Sequence, residues 1–325
     1  MVKISEIVYR ISKNSKIFYI NNKSTFSIYT ILFNNDYYYD VILRPTMLCN
    51  ISCKHCFLSR SNDSYTEKNL LNIIKHLGKV ANKINLTFSG GEPTIHPSFK
   101  NLITSALKFD FNIITIQTNG INFHSEKLLD IIPYSDKLSF FCSFPSHIEE
   151  IYNSITMSSK YHEAMTGLIN LSKKNKIVLN NVVMSQNYKY FPEMIEYIAN
   201  NFERKNTNVL ISNIGTPSSN SHDLFFIKYK DLIPIFKEGF KRARELSVKI
   251  DFTISGECSY PLCYYYSIDK SILENVSLFF TKPRDTFFKS EKCKLCKYDD
   301  FCQGYFKKYI EKFGDNEIEP ILDSS

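Results

Sequence analysis

From Val41 onward the chain places short apolar runs between longer stretches whose apolar residues recur every three to four positions, and this alternation leaves few folds open. Short apolar or β-branched runs read as strands, and the three-to-four spacing reads as amphipathic helix. Strands are expected at residues 41–43, 86–88, 113–117, 138–141, 177–183 and 209–212. Residues 70–80, 99–107, 164–171 and 192–199 carry the helical spacing, and Ser125 is placed to cap a further helix. Strands alternating with helices predict βα units and a parallel sheet. Before residue 41 aromatic and polar residues alternate, as in Tyr37-Tyr38-Tyr39, the pattern of a short antiparallel extension.

In parallel βα folds the chemistry collects on the loops that follow the strands, and the motifs of this chain fall there. After the first strand comes Cys49-Asn50-Ile51-Ser52-Cys53-Lys54-His55-Cys56. This spacing supplies three thiolates to one inorganic centre and withholds a fourth. A structural zinc site closes with four protein ligands, whereas a cubane cluster on three thiolates leaves one iron open to a small molecule. After the second strand, Ser89-Gly90-Gly91-Glu92-Pro93 pairs two glycines, which let a ligand approach the backbone, with a carboxylate. A zinc knuckle beside an unrelated turn would use the same residue types. Thr118-Asn119-Gly120 ends the third strand, either as an ordinary Asn-Gly turn or as a polar ligand contact. Cys142-Ser143 ends the fourth, with Cys142 read as a buried thiol. Met184 after the fifth strand reads as core, Asn213 after the sixth as a turn cap or a ligand contact, and His147 as an exposed loop histidine.

The triplet Cys49, Cys53 and Cys56, with His55 in the slot of an aromatic residue, resembles the cluster loop of the radical S-adenosylmethionine (SAM) superfamily. Gly90-Gly91-Glu92 resembles that superfamily's Gly-Gly-Glu motif. The resemblance implies an α/β fold with a partial (β/α)6 barrel. It also implies a [4Fe–4S] cluster on Cys49, Cys53 and Cys56 whose free iron chelates SAM. Cofactor contacts are then expected from His55, Ser89, Gly90, Gly91, Glu92 and Asn119, and from Ser143 near the ribose. In that superfamily one electron from the cluster breaks a carbon–sulfur bond of SAM, and the resulting 5′-deoxyadenosyl radical abstracts hydrogen from substrate. An electron donor such as flavodoxin or ferredoxin is implied as well.

A second group of thiols lies near the C-terminus. Cys293-x2-Cys296-x5-Cys302 runs into Gln303-Gly304-Tyr305, with Cys258 and Cys263 upstream. Four of these five thiolates are enough to enclose a cluster, and the same spacing allows a zinc ribbon. The run resembles the auxiliary-cluster extensions called SPASM and Twitch domains. That resemblance implies one auxiliary [4Fe–4S] cluster on Cys263, Cys293, Cys296 and Cys302, with Cys258 spare, although Cys258 and Cys263 are interchangeable at this point. A spare Cys258 facing the cavity would stand where peptide epimerases of similar architecture keep a hydrogen-donating thiol; an unpaired structural thiol is the plainer reading.

Composition bounds the rest. At 325 residues and 43% hydrophobic, the chain can form one large domain with extensions, expected as 1–40, 41–250 and 251–325. No apolar run approaches the roughly 20 residues of a membrane span, and Met1-Val2-Lys3 opens no secretory signal, so a cytoplasmic protein is expected. An odd number of cysteines, nine, favours metal ligation over disulfides in that compartment. The net charge of +7 comes without a long basic block, which suits an anionic or peptide partner and does not indicate nucleic acid. The expected substrate is a peptide or protein, although the N-terminal extension is too short for a separate peptide-recognition domain. Tailoring of a nucleotide or small metabolite is the alternative, and a non-catalytic iron–sulfur sensor or scaffold is the reading from another class.

Overall fold

The computed structural model describes residues 8–9, 11–13, 20–22, 26–33, 36–58, 61–214, 225–253, 258–274 and 285–322. Its centre is one open sheet of nine strands that lie side by side in chain order. These are β1 (Ile20–Asn22), β2 (Phe26–Phe33), β3 (Asp36–Thr46), β4 (Ile84–Gly90), β5 (Ile113–Thr118), β6 (Leu138–Ser143), β7 (Lys176–Val183), β8 (Thr207–Asn213) and β9 (Lys249–Phe252). β1, β2 and β3 pair antiparallel; every pairing from β3 to β9 is parallel. Each of the six expected strands lies within β3 to β8.

Two features depart from the sequence reading. A seventh parallel strand, β9, was not anticipated, because only four residues form it and none is fully buried. In addition, β3 begins at Asp36, so Tyr37-Tyr38-Tyr39 and Val41 share one strand that is antiparallel to β2 and parallel to β4. The expected boundaries at 40/41 and 250/251 therefore run through β3 and β9.

Helices supply the crossovers: α1 (Glu67–Leu77), α2 (Phe99–Ala106), α3 (Glu126–Asp130), α4 (Glu149–Thr156), α5 (Tyr161–Lys174), α6 (Phe191–Asn201) and α7 (Tyr229–Glu245). Thr66 starts α1 by accepting the Asn69 N–H, and Glu67 sits in its first turn, where the helix dipole favours a negative charge. Period-two alternation gives the sheet two unlike faces. One face carries Leu86, Phe88, Ile114, Ile116, Phe140, Leu179, Val209 and Ile211, all fully buried, in one core with Leu70, Ile74, Leu102, Leu168 and Ile195 of the helices. Each such side chain contributes about 1.5–3 kcal/mol on burial.

The opposite face is largely polar, and its side chains bond to one another across the strands. Asn85 donates to Asp40 (2.8 Å), Ser89 to Gln117 (2.5 Å), Asn208 to Asp251 (3.1 Å) and Ser212 to Asn180 (2.7 Å), and Thr115 pairs with Ser139 (3.2 Å).

After β9 the chain forms α8 (Leu262–Ile268), α9 (Ser271–Glu274), the two-stranded pair β10 (Phe287–Phe288) and β11 (Tyr305–Phe306), and α10 (Lys307–Phe313). Tyrosines join this part to α7: the rings of Tyr229 and Tyr309 stack at 4.1 Å, and Tyr229 also meets Tyr260, Tyr264 and Tyr305. Among the described residues no helix is long and apolar enough to cross a membrane.

Candidate active site and C-terminal thiol cavity

The loop after β3 that carries Cys49, Cys53 and Cys56 is held on three sides. On the first, the Gly91 and Glu92 N–H groups donate to the Thr46 (3.0 Å) and Leu48 (2.7 Å) carbonyls. This contact explains both glycines. A β-carbon on Gly90, whose φ is +111°, would collide with the Thr46 oxygen, and one on Gly91 with the Leu48 oxygen. On the second side, the Ser52 and Lys54 N–H groups donate to the Thr156 and Ile155 carbonyls, both at 2.9 Å, which satisfies acceptors left open at the end of α4. On the third, Asn119 Nδ2 donates to Asn50 Oδ1 at 2.6 Å and lies 4.0 Å from Cys49 Sγ. The cysteine loop, Gly-Gly-Glu and Thr-Asn-Gly thus meet at the C-terminal ends of β3, β4 and β5. Cys49 is exposed, and Cys53 and Cys56 are half-buried.

Glu92 points inward. Its Oε1 accepts from Thr94 N (3.2 Å), Thr94 Oγ1 (2.6 Å) and Thr118 Oγ1 (2.8 Å), and its Oε2 from Asn119 N (2.8 Å). Complete burial pushes its pKa above the ordinary carboxylate value, against the pull of these four donors. The carboxylate therefore braces the end of β4 to the end of β5. Ser89 and Ser143 stand on the polar face of the sheet, and His55 is half-buried in the cysteine loop.

The remaining strand-end residues divide clearly. Cys142 is fully buried and its thiol pKa is driven far up, first by burial and then by the charge of Glu92, so it stays protonated. Met184 is wholly buried in the core. Asn213 donates through Nδ2 to the Tyr229 hydroxyl (2.8 Å) and through its backbone N–H to the Cys258 carbonyl (2.8 Å). His147 is half-buried rather than exposed: its ring lies 5.5 Å from that of Tyr197, and burial lowers its pKa. Tyr152 on α4 escaped the sequence reading. It is buried on the helix whose Ile155 and Thr156 carbonyls hold the cysteine loop, and its phenol pKa is raised first by burial and then by the charges of Cys53, Glu92 and Cys49. No local motif marks such a residue.

Cys263, Cys293, Cys296 and Cys302 line one cavity, together with Lys289 and Tyr305, and Cys258 lies outside it. Hydrogen-bond donors aim at the sulfurs. Leu262 N (3.4 Å) and Gly304 N (3.3 Å) donate to Cys302 Sγ, Ile321 N (3.4 Å) reaches Cys296 Sγ, and the Tyr305 hydroxyl is 3.5 Å from Cys263 Sγ. Burial pushes the Cys263 thiol up to about 12 and also raises Cys293 and Cys302. Donors directed at buried sulfurs suit metal-bound thiolates, since a weak acceptor such as a free thiol gains little from them. Among the described residues no three His, Cys, Asp or Glu side chains converge on a single ion. Four sulfurs around one cavity are enough to ligate either a cluster or a zinc ion.

Residues 43–198, just under half of the chain, match the model of the radical SAM superfamily, a match that implies SAM and a [4Fe–4S] cluster. The tungsten-containing aldehyde ferredoxin oxidoreductase cofactor-modifying protein of Pyrococcus furiosus is 26% identical over 224 residues, which are 65% of this chain and 62% of that one. The match thus spans less than two thirds of the relative. Streptococcus suis SuiB superposes with a TM-score of 0.56 at 16% identity, over 73% of this chain and 53% of SuiB. The structure of anSMEcpe with bound AdoMet and Cp18Cys peptide gives a TM-score of 0.54 at 16% identity, over 87% and 92% of the two chains. At these identities the likeness is one of fold.

Proposed function

We propose that this protein is an enzyme that reductively cleaves SAM and uses the product to abstract hydrogen from a peptide or protein, leading to crosslinking, oxidation or epimerisation. The observation that carries this reading is the backbone docking of the cysteine loop onto Gly90-Gly91-Glu92 and Asn119, which gathers three thiols and a row of polar strand ends at one edge of the sheet. Cys49, Cys53 and Cys56 would hold a [4Fe–4S] cluster, with His55, Ser89, Gly90, Gly91, Glu92, Asn119 and Ser143 around the SAM site. When bound, that cluster and SAM supply a 5′-deoxyadenosyl radical, chemistry no side chain performs. The chain's own part is positioning: Glu92 keeps β4 and β5 in register beneath the loop, α4 fixes Ser52 and Lys54, and the apolar core shields the helix face of the sheet from water.

Cys263, Cys293, Cys296 and Cys302 would hold an auxiliary [4Fe–4S] cluster in a SPASM- or Twitch-like extension. Cys258, tied by its carbonyl to Asn213 at the end of β8, stands apart from that cavity and is the candidate to return a hydrogen atom through its thiol. A peptide substrate draws support from the fold shared with SuiB and with peptide-bound anSMEcpe. Modification of a small metabolite or nucleotide is the second reading, favoured by the cofactor-modifying relative. A cytoplasmic location and a flavodoxin or ferredoxin as reductant accompany either.

Anaerobic reconstitution with iron and sulfide, followed by a dithionite assay for 5′-deoxyadenosine, tests the reading. About eight irons per chain are expected, with cleavage abolished by Cys53→Ala. A fully loaded wild-type protein that forms no 5′-deoxyadenosine, with candidate peptides or without, would leave the scaffold reading standing instead.

A further inference from the structure

We propose that the Tyr305 hydroxyl sets the reduction potential of the cluster in the C-terminal cavity through its contact with Cys263 Sγ; this rests on the reading of that cavity as an iron–sulfur site. Tyr305 is buried on β11; its hydroxyl donates to the Glu317 carbonyl at 3.1 Å and lies 3.5 Å from Cys263 Sγ, a pair in which either atom can donate while the thiol keeps its proton. A phenol carries one proton. A ligating Cys263 has none, so within that pair only Tyr305 can donate, and the charged thiolate competes with the Glu317 carbonyl for its one proton. A donor to a ligating sulfur offsets part of the negative charge that reduction adds, and so raises the potential.

The sulfurs of Cys296 and Cys302 receive backbone N–H groups from Ile321, Leu262 and Gly304, donors that the fold supplies whatever the side chains. Cys263 instead receives a side chain, which makes its contact the adjustable one. The placement is enforced locally. Gly304 has φ +88°, and a β-carbon there would collide with the Phe288 oxygen, so this glycine turns the chain after Cys302 and brings Tyr305 back over Cys263. The Tyr305 ring lies 5.5 Å from that of Tyr229, whose hydroxyl accepts from Asn213 at the end of β8. Three side chains in contact therefore lead from the sheet edge, where substrate is expected, to a ligand of the cavity.

The test removes the first cluster, with Cys49→Ala, Cys53→Ala and Cys56→Ala in the full chain, and follows the remaining one by an electron-paramagnetic-resonance redox titration. Tyr305→Phe should keep the iron content and far-ultraviolet circular dichroism of this parent while moving the potential negative. A tenfold change in the reduction equilibrium, about 59 mV for one electron, is the expected scale. Tyr305→3-fluorotyrosine, a more acidic phenol and stronger donor, should move the potential the opposite way, and Tyr229→Phe should leave it in place. An unchanged potential in a fully loaded Tyr305→Phe protein overturns the proposal, as does loss of iron from that variant, which would make Tyr305 a retaining residue. Failure of the triple-alanine parent to bind any cluster would instead overturn the cavity reading beneath it.

Discussion

The carbonyl oxygen of Leu48 lies against Gly91 where a β-carbon would stand, and the same oxygen accepts the Glu92 N–H at 2.7 Å. The conflict is between backbone atoms, so no side chain can give way. Gly91→Ala should destabilise the fold by about 3 kcal/mol, the upper end of overpacking costs, and displace the cysteine loop. Chemical denaturation together with an iron assay will check this: iron should fall by the share bound at Cys49, Cys53 and Cys56, while the C-terminal share remains.

Glu92 ties stability to pH. Because its folded pKa lies above the unfolded value of 4.5, the native state holds a proton that the unfolded chain has already released. Its contribution is full below 4.5 and is lost as pH rises through the folded pKa. Glu92→Gln removes this titration and turns an amide NH2 toward the Asn119 N–H, at a cost of about 1–3 kcal/mol. The advantage of wild type over Glu92→Gln should shrink from pH 4 towards neutrality, as measured by denaturation at each pH.

The five C-terminal cysteines should separate by iron content. Cys263→Ser is expected to lose about four irons per chain and Cys258→Ser none, because Cys263 lines the thiol cavity and Cys258 does not. Iron lost from Cys258→Ser and kept by Cys263→Ser would reverse the ligand assignment.

Asn119 holds the exposed end of the cysteine loop through Asn50 Oδ1. Asn119→Asp replaces that donor with a charge 4.0 Å or so from Cys49 Sγ. Iron should then pass to a chelator several-fold faster than from wild type, with little change in melting temperature.

Motifs carried by neighbouring residues were legible in the sequence. The six strands at β3 to β8, the two cysteine clusters and Gly-Gly-Glu all follow from local pattern, because strand periodicity and ligand spacing are short-range properties. What local pattern does not carry is register. The pairing of Ser89 with Gln117 depends on how β4 and β5 align, and the docking of Ser52 and Lys54 on α4 joins residues about a hundred positions apart. The pairing of Gly90 and Gly91 reads as a close approach for a ligand, and in the structure the Leu48 carbonyl also needs the space a Gly91 side chain would fill. Tyr152 and Tyr305 lie beside cysteines distant in sequence and carry no signature of their own.

The cross-strand pairs on the polar face of the sheet bear on selectivity. Ser89, Gln117, Asn180 and Ser212 already spend hydrogen bonds on one another. Any molecule laid against them would gain only the difference between the bonds it makes and those it breaks, a small margin for each polar group. Such a surface rewards a guest for matching an existing spacing of donors and acceptors, and gives no return on polarity alone.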